Sequence, residues 1–218
     1  FGKLKRYEEE IDSYTEAVSI NKEYADAFYN LGIAYGRQKE FEKAIDCFKQ
    51  AVKIKPDNFR LYIDLGIAYE GIGKHDEAVK SYKNAVSLAP DDPQAYYNLG
   101  IVYNKLKRYG EAIESFKKVM NIKPNYMRVR EWLATSHNNM GIYYKKHGEL
   151  KKAVAEFKKA IDLKKDFAEV YYNLGITYLA LKDRKSAVKQ QQSLERINNV
   201  LAKVLLKRIG EYDSKKGD

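Results

Sequence analysis

A block of 34 residues recurs along this chain and constrains its fold more than any other feature. The block at residues 25–58 reads ADAFYNLGIAYGRQKEFEKAIDCFKQAVKIKPDN, and similar blocks begin at Phe59, Pro93 and Ala168. A shifted block begins at Ala134. Most blocks contain, in order, an aromatic residue, Leu-Gly, Tyr, Ala, a second aromatic residue and Pro. Such a period predicts one supersecondary unit per block, each stacked on its neighbours.

The spacing of apolar residues predicts two helices in each block. In the first block, Phe28, Leu31 and Tyr35 lie at i, i+3 and i+7, which is one face of a helix. We expect one helix from about Ala25 to Gln38 and a second from about Phe41 to Ile54. Because proline cannot continue a helix, the second helices should end before Pro56, Pro90 and Pro124.

This period and these residues resemble the tetratricopeptide repeat family over nearly the whole chain. The resemblance implies an all-α fold, a right-handed superhelical solenoid of antiparallel helix pairs with a C-terminal capping helix. The predicted organisation is the second half of a truncated repeat at 1–24, repeats at 25–58, 59–92 and 93–126, a seven-residue insertion at 127–133, a repeat at 134–167, a degenerate repeat at 168–201, a capping helix at 200–211 and a disordered tail at 212–218.

One glycine recurs inside the first helix of every block. The five positions are Gly32, Gly66, Gly100, Gly141 and Gly175. Glycine weakens a helix interior by about 1 kcal/mol relative to alanine, so close approach of the paired helix is expected there. We expect small residues of the second helix to face these glycines, namely Ala44, Ala78, Ala112, Ala153 and Ala187. A leucine at Gly100 should then overpack the crossing.

The insertion MRVREWL precedes the fourth block. Seven residues are close to two helical turns, so we expect one long helix from about Met127 to Lys146. Its extra turns carry Arg128, Arg130 and Trp132. Trp132 either packs onto the preceding repeat or forms a docking point with the two arginines, because Trp and Arg are frequent interface anchors.

An apolar stripe follows the last block. Its members are Val200, Leu201, Val204, Leu205 and Ile209. This spacing predicts a helix that covers the open end of the array, although the same stripe would also suit a partner helix.

The composition narrows the functional classes. The chain has 218 residues, a formal net charge of +10, one cysteine and three histidines. We therefore expect no metal site and no cofactor. We find neither a set of catalytic residues nor a phosphate-binding loop, which argues against an enzyme, and no apolar run is long enough to span a membrane. A cytoplasmic location is favoured, but the sequence begins partway through a repeat, so an upstream signal or anchor stays open.

The resemblance also places a candidate binding surface on the first helices. In this family they line the concave side, and asparagines there can hold the backbone of an extended peptide, although they are also common in ordinary helix packing. By position we define the inner wall as Tyr29, Asn30, Ile33, Arg37, Arg60, Ile63, Asp64, Ile67, Tyr97, Asn98, Ile101, Lys105, Asn138, Asn139, Ile142, Lys146, Tyr172, Asn173 and Ile176.

The leading hypothesis is a non-catalytic scaffold whose inner wall binds a protein or peptide partner, with a homo-oligomer or a larger complex also possible. One alternative is nucleic-acid binding by the lysines of the fourth and fifth blocks, which is less favoured because acidic residues alternate with them. Another is an accessory or structural subunit of a multienzyme complex, which the sequence does not separate from the first.

Overall fold

The computed structural model describes residues 2–126 and 128–214, with side chains from residue 8 onward. Within these residues it contains helices and no strands, which confirms the all-α class. The helices are α1 (Gly2–Ile20), α2 (Ala25–Arg37), α3 (Phe41–Ile54), α4 (Phe59–Gly71), α5 (His75–Leu88), α6 (Pro93–Lys105), α7 (Tyr109–Ile122), α8 (Val129–Lys146), α9 (Leu150–Leu163), α10 (Ala168–Ala180), α11 (Arg184–Ile197) and α12 (Asn199–Ser214).

The helices group into two units. Unit 1 comprises residues 1–107 and 121–123, and unit 2 comprises residues 108–120 and 124–218. In unit 1 the core lies between α2, α3 and α4, where Phe48, Leu61 and Leu65 are buried. In unit 2 one core cluster includes Phe157 and Leu174. Each unit therefore buries the apolar stripes of successive helices against one another.

The short turns inside the repeats share one backbone conformation. The residue two positions past the end of each first helix has positive φ, at Lys39, Gly73, Lys107, Gly148 and Lys182. These five residues occupy the same position in the five repeats. A left-handed residue commonly ends a helix and turns the chain back, so each repeat reverses direction in the same way, with glycine in only two of them.

The recurrent glycines do mark close helix crossings, but the nearest side chains are not the predicted alanines. A Cβ built on Gly32 would lie 2.6 Å from the ring of Phe48, and one on Gly141 would lie 2.6 Å from the ring of Phe157. The nearest atoms thus belong to the aromatic residue of the second helix rather than to Ala44 or Ala153. A flat ring needs a partner without a side chain in order to lie this close to a helix backbone.

The insertion lengthens α8, as expected. This helix has 18 residues, whereas α2, α4, α6 and α10 have 13 each. Its start differs from the prediction, because the helix begins at Val129 with Arg128 as the preceding cap residue. Met127 lies outside the described residues.

Helix α12 packs against α10 and α11 in unit 2. Leu205 and Ile209 are buried, whereas Val200 and Val204 are exposed, so the predicted stripe is divided between core and surface. The helix continues to Ser214, beyond the predicted boundary at residue 211. Tyr212 packs against the core cluster there, and Asp213 pairs with Arg184 at 2.7 Å, which explains the extra turn. The rest of the predicted tail, residues 215–218, lies outside the described part.

Candidate partner-binding site

In unit 1 the structure brings inner-wall residues of α2 and α4 together around one cavity of about 210 Å³. Ile33 and Arg37 line it from α2, and Asp64 and Ile67 line it from α4. The other lining residues are Gly32, Gly36, Phe41, Phe48 and Ala68. Two aromatic rings and three aliphatic side chains make this cavity largely apolar, with one carboxyl and one guanidinium group among its lining residues.

A second cavity shares Asp64 with the first and is lined by residues of three successive first helices. Tyr29 comes from α2, Arg60 and Ile63 come from α4, and Gln94 comes from α6. The Tyr29 hydroxyl donates a hydrogen bond to Asp64 Oδ2 at 2.8 Å. Burial raises the pKa of Asp64, and burial together with the neighbouring Asp64 raises the pKa of Tyr29 to about 12. Tyr29 therefore stays a protonated donor at neutral pH.

The Tyr29–Asp64 bond has a counterpart in unit 2. There, Asn173 Nδ2 donates to Asn138 Oδ1 at 3.2 Å, and the two residues occupy the positions of Asp64 and Tyr29 in their own repeats. Both bonds join residues 35 positions apart on consecutive first helices. Members of the inner wall thus connect neighbouring repeats, which agrees with the packing role that the sequence left open for the asparagines.

Asn98 departs from this pattern. Its Nδ2 atom is buried without a hydrogen-bond partner among the described residues. The residue 35 positions before it is Ile63, which has no side-chain acceptor. The Asn98 amide therefore has an unmet hydrogen-bonding need.

The remaining wall residues differ in how much surface they offer. Ile67 is 43% exposed and Ile142 is 39% exposed, whereas Ile63 and Asn138 are almost fully buried. Lys105 forms an ion pair with Glu70 at 2.5 Å. Half-buried or exposed positions are Asn30, Tyr97, Ile101, Asn139, Lys146, Tyr172 and Ile176. The buried members serve packing, so contact with a partner would fall mainly on the others.

The predicted docking projection is partly engaged within unit 2. The Trp132 ring stacks on Phe116, with 6.2 Å between ring centroids and 17° between planes. Arg128 pairs with Glu131, while Arg130 is exposed. Trp132 therefore packs onto the preceding helix, which is the first of its two predicted roles, and its docking role stays a prediction.

Three lysines of the fourth repeat pair with acidic residues three positions earlier in the sequence. Lys152 pairs with Glu149, Lys159 pairs with Glu156 at 2.7 Å, and Lys165 pairs with Asp162 at 2.8 Å. Such i,i+3 pairs are typical of solvated helix surfaces. Their local compensation weakens the case for a nucleic-acid surface.

A buried charged group lies between α8 and α9. His137 occupies the position of Phe28 and Tyr96 in other repeats, and its Nδ1 lies 2.6 Å from Glu156 Oε2. Lys159 donates to the other carboxyl oxygen. Burial acts to raise the pKa of Glu156, but the hydrogen bonds from His137 and Lys159 outweigh it and leave this pKa lowered. The ionised carboxylate therefore stabilises the fold.

We expect Glu156→Gln to lower the free energy of unfolding by about 1 kcal/mol at neutral pH, because it removes charge-assisted hydrogen bonds. A carboxyl whose pKa is lowered by folding stabilises the native state above its unfolded pKa of about 4.3, and this contribution is lost as the pH falls through the folded pKa. Urea unfolding between pH 7 and pH 3 should show the two proteins converging at low pH. A constant difference over this range would contradict the assignment.

Five lining residues of the first cavity lie outside the predicted inner wall: Gly32, Gly36, Phe41, Phe48 and Ala68. A signal for Gly36 was present in the repeat alignment. The equivalent positions in the other repeats carry Glu70, Asn104, Lys145 and Leu179. The first repeat thus differs from the rest by lacking a side chain at this position.

Comparison with known families gives tetratricopeptide repeat models that together match most of the chain. The matched residues are 3–39, 25–58, 47–80, 72–107, 91–166 and 168–200. This chain belongs to the tetratricopeptide repeat (TPR) family. The resemblance inferred from the sequence is therefore confirmed. A comparison with curated proteins gives no match.

Solved structures of TPR proteins are similar to this one. YrrB, described as a TPR protein with an unusual peptide-binding site, has 21% identity and a TM-score of 0.64, covering 90% of this chain and 99% of YrrB. A MamA structure has 27% identity and a TM-score of 0.60, covering 78% and 90%. MamA from Desulfovibrio magneticus RS-1 has 22% identity and a TM-score of 0.57, covering 81% and 96%.

Membership of the TPR family supports a protein-interaction scaffold as the general class of function. In the part of the chain that the structure describes, no helix has both the length and the apolar character needed to cross a bilayer.

Proposed function

We propose that this TPR protein is a non-catalytic scaffold and that the inner wall of unit 1 binds an extended segment of a partner protein. One observation carries the proposal: side chains of α2, α4 and α6 line two cavities that have Asp64 in common, and the second cavity reaches Gln94. A surface that joins three successive first helices suits an extended ligand, which contacts each helix in turn.

The chemistry of this wall also supports a peptide ligand. Ile33, Ile67 and Ile101 are equivalent residues of the three repeats, and all retain exposed surface. Gln94 contributes a side-chain amide at the second cavity, which both donates and accepts hydrogen bonds as a peptide unit does. Apolar contact area combined with a few polar groups that fix orientation is the usual composition of a binding cleft. Peptide binding is also described for the similar TPR protein YrrB.

The proposal predicts that Tyr97→Ala combined with Ile101→Ala weakens binding at least about tenfold, because truncation of a hot-spot side chain near the centre of an interface costs about 2 kcal/mol or more. Peptides would be selected on the purified chain from a random dodecapeptide display library. The dissociation constants of these peptides would then be measured by fluorescence polarisation with the parent protein and with the double variant.

The matched control is Lys83→Ala combined with Asn84→Ala on α5, where both residues are exposed and lie outside the inner wall. This variant should bind as the parent protein does. Circular dichroism should show that both variants keep their helical content. Selected peptides that bind the Tyr97/Ile101 variant undiminished would place their site elsewhere and refute the proposal.

A further inference from the structure

We infer that the cavity beside Gly36 is an anchor pocket that takes one large apolar side chain, aromatic or leucine-like, from an extended peptide. The inference rests on the proposed function and specifies which kind of peptide side chain occupies the cavity beside Gly36. Its basis is the pairing of a side-chain-sized apolar space with hydrogen-bonding groups suited to a peptide backbone.

Glycine at position 36 leaves this space open. A Cβ built on Gly36 would have no neighbouring atom within 4 Å, whereas one on Gly32 would collide with Phe48. In the next repeat the equivalent residue is Glu70, whose carboxylate accepts a hydrogen bond from the Tyr82 hydroxyl at 2.7 Å. That side chain therefore reaches the aromatic residue of its own repeat. In the first repeat the residue equivalent to Tyr82 is Phe48. Because position 36 is a glycine, no side chain from that position contacts the Phe48 ring, and Phe48 lines a cavity.

The size of the cavity selects the class of side chain. Its volume is about 210 Å³, and its apolar lining includes Ile33, Phe41, Phe48 and Ile67. In other proteins an apolar cavity of about 150 Å³ binds a benzene ring. A phenyl or leucyl group would thus fill much of this space, whereas the methyl group of alanine would leave most of it empty. Aromatic ligands would also gain ring contacts with the two phenylalanines.

The polar lining residues match a peptide unit. Asp64 accepts the Tyr29 hydroxyl through Oδ2, which leaves Oδ1 available to accept from a backbone N–H. Arg37 also lines the pocket, and its guanidinium group carries N–H donors. A peptide unit presents one N–H and one C=O, so an acceptor and a donor at the same pocket complement it. This complementarity favours a peptide over a purely hydrocarbon ligand.

The test uses blocked amino acids as probes. N-acetyl-L-phenylalaninamide, N-acetyl-L-leucinamide and N-acetyl-L-alaninamide would each be titrated into the full chain, with binding followed by ¹H–¹⁵N NMR. We expect saturable shifts centred on Gly32, Gly36 and Ala68 for the first two probes, and affinity at least about tenfold lower for the alanine probe. Gly36→Leu should abolish the saturable shifts because its side chain occupies the pocket.

Two further variants keep the result interpretable. Gly110→Leu on α7 is the matched control, because a Cβ there also meets nothing within 4 Å and Gly110 does not line the pocket. It should bind the probes as the parent protein does. If Gly36→Leu does not fold, Ile67→Ala provides the second test, since this partly exposed residue lines the opposite side and its loss should weaken the phenylalanine probe.

Equal binding of all three probes, or unchanged binding to Gly36→Leu, would overturn the pocket. In that case, if the proposed function holds, the selected peptides would still bind the chain and would still lose affinity when Tyr97 and Ile101 are replaced by alanine. Conversely, probe binding at Gly36 without any selected peptide would leave the pocket supported and refute the extended binding surface. The two failures are therefore distinguishable.

Discussion

Leu205→Ala should lower the free energy of unfolding by about 2–5 kcal/mol. Leu205 is fully buried, and its Cδ2 and Cδ1 atoms would lie 2.5 and 3.0 Å from a Cβ built on Gly175. At Gly32, Gly66 and Gly141 the equivalent glycine faces an aromatic ring, but the corresponding residue of the last repeat is Gln191. Leucine from α12 fills that place, so its truncation leaves a cavity between α10 and α12.

The measurement is urea unfolding followed by far-UV circular dichroism. Leu206→Ala is the matched control, because Leu206 is the next residue of the same helix and is 55% exposed. Surface substitutions of this kind usually change stability by less than about 0.5 kcal/mol. Equal losses for the two variants would show that α12 does not contribute a buried core residue at this position.

Gly66→Leu should destabilise the protein by an amount at or above the upper end of the about 1–3 kcal/mol range typical of overpacking. A Cβ on Gly66 would lie even closer to the Tyr82 ring than the 2.6 Å separation found for Gly32 and Phe48. Tyr82 is fully buried and its hydroxyl is bonded to Glu70, so the ring has no space into which to move. The leucine side chain would therefore force α4 and α5 apart.

Gly36→Leu provides the comparison for this variant. The substitution is the same and the residue also lies in a first helix, but its Cβ would enter open space. Leucine has a higher helix propensity than glycine, by somewhat less than 1 kcal/mol, so we expect Gly36→Leu to be neutral or slightly stabilising. An equal loss of stability in the two variants would contradict the explanation that Gly66 recurs because the Tyr82 ring packs against it.

Particular residues show how far the sequence predicted the fold. The interval of 34 residues and the spacing of Phe28, Leu31 and Tyr35 placed α2 within one residue of its observed end and placed α3 at its observed bounds. These features are local, because helix periodicity depends on residues three or four positions apart. The recurrent glycines likewise predicted close crossings. The side chain nearest to each glycine was not the predicted alanine, because that contact depends on the rotation of the second helix about its axis.

The candidate site was less accessible to sequence reasoning. Position in the repeat identified Ile33, Arg37, Asp64 and Ile67, which do line one cavity. Position in the repeat also assigned Ile63 and Asn138 to the inner wall, but both residues are buried. Equivalent positions differ in exposure because each side chain packs against different neighbours. The pocket itself depends on the absence of a side chain at Gly36, and its significance becomes clear only once Phe48 and Ile67 are seen around the empty space.

The sequence alone determined the repeat family, the number and order of the helix pairs and the position of the first helices, because these follow from short-range periodicity and from the spacing between blocks. The tertiary structure decided the remaining features. It showed positive φ at Lys39, Lys107 and Lys182, although residue type indicates such a turn only at glycine. It also showed Leu205 in the place of a missing aromatic ring. Both depend on how helices meet in space, where volume must be filled whichever residue supplies it.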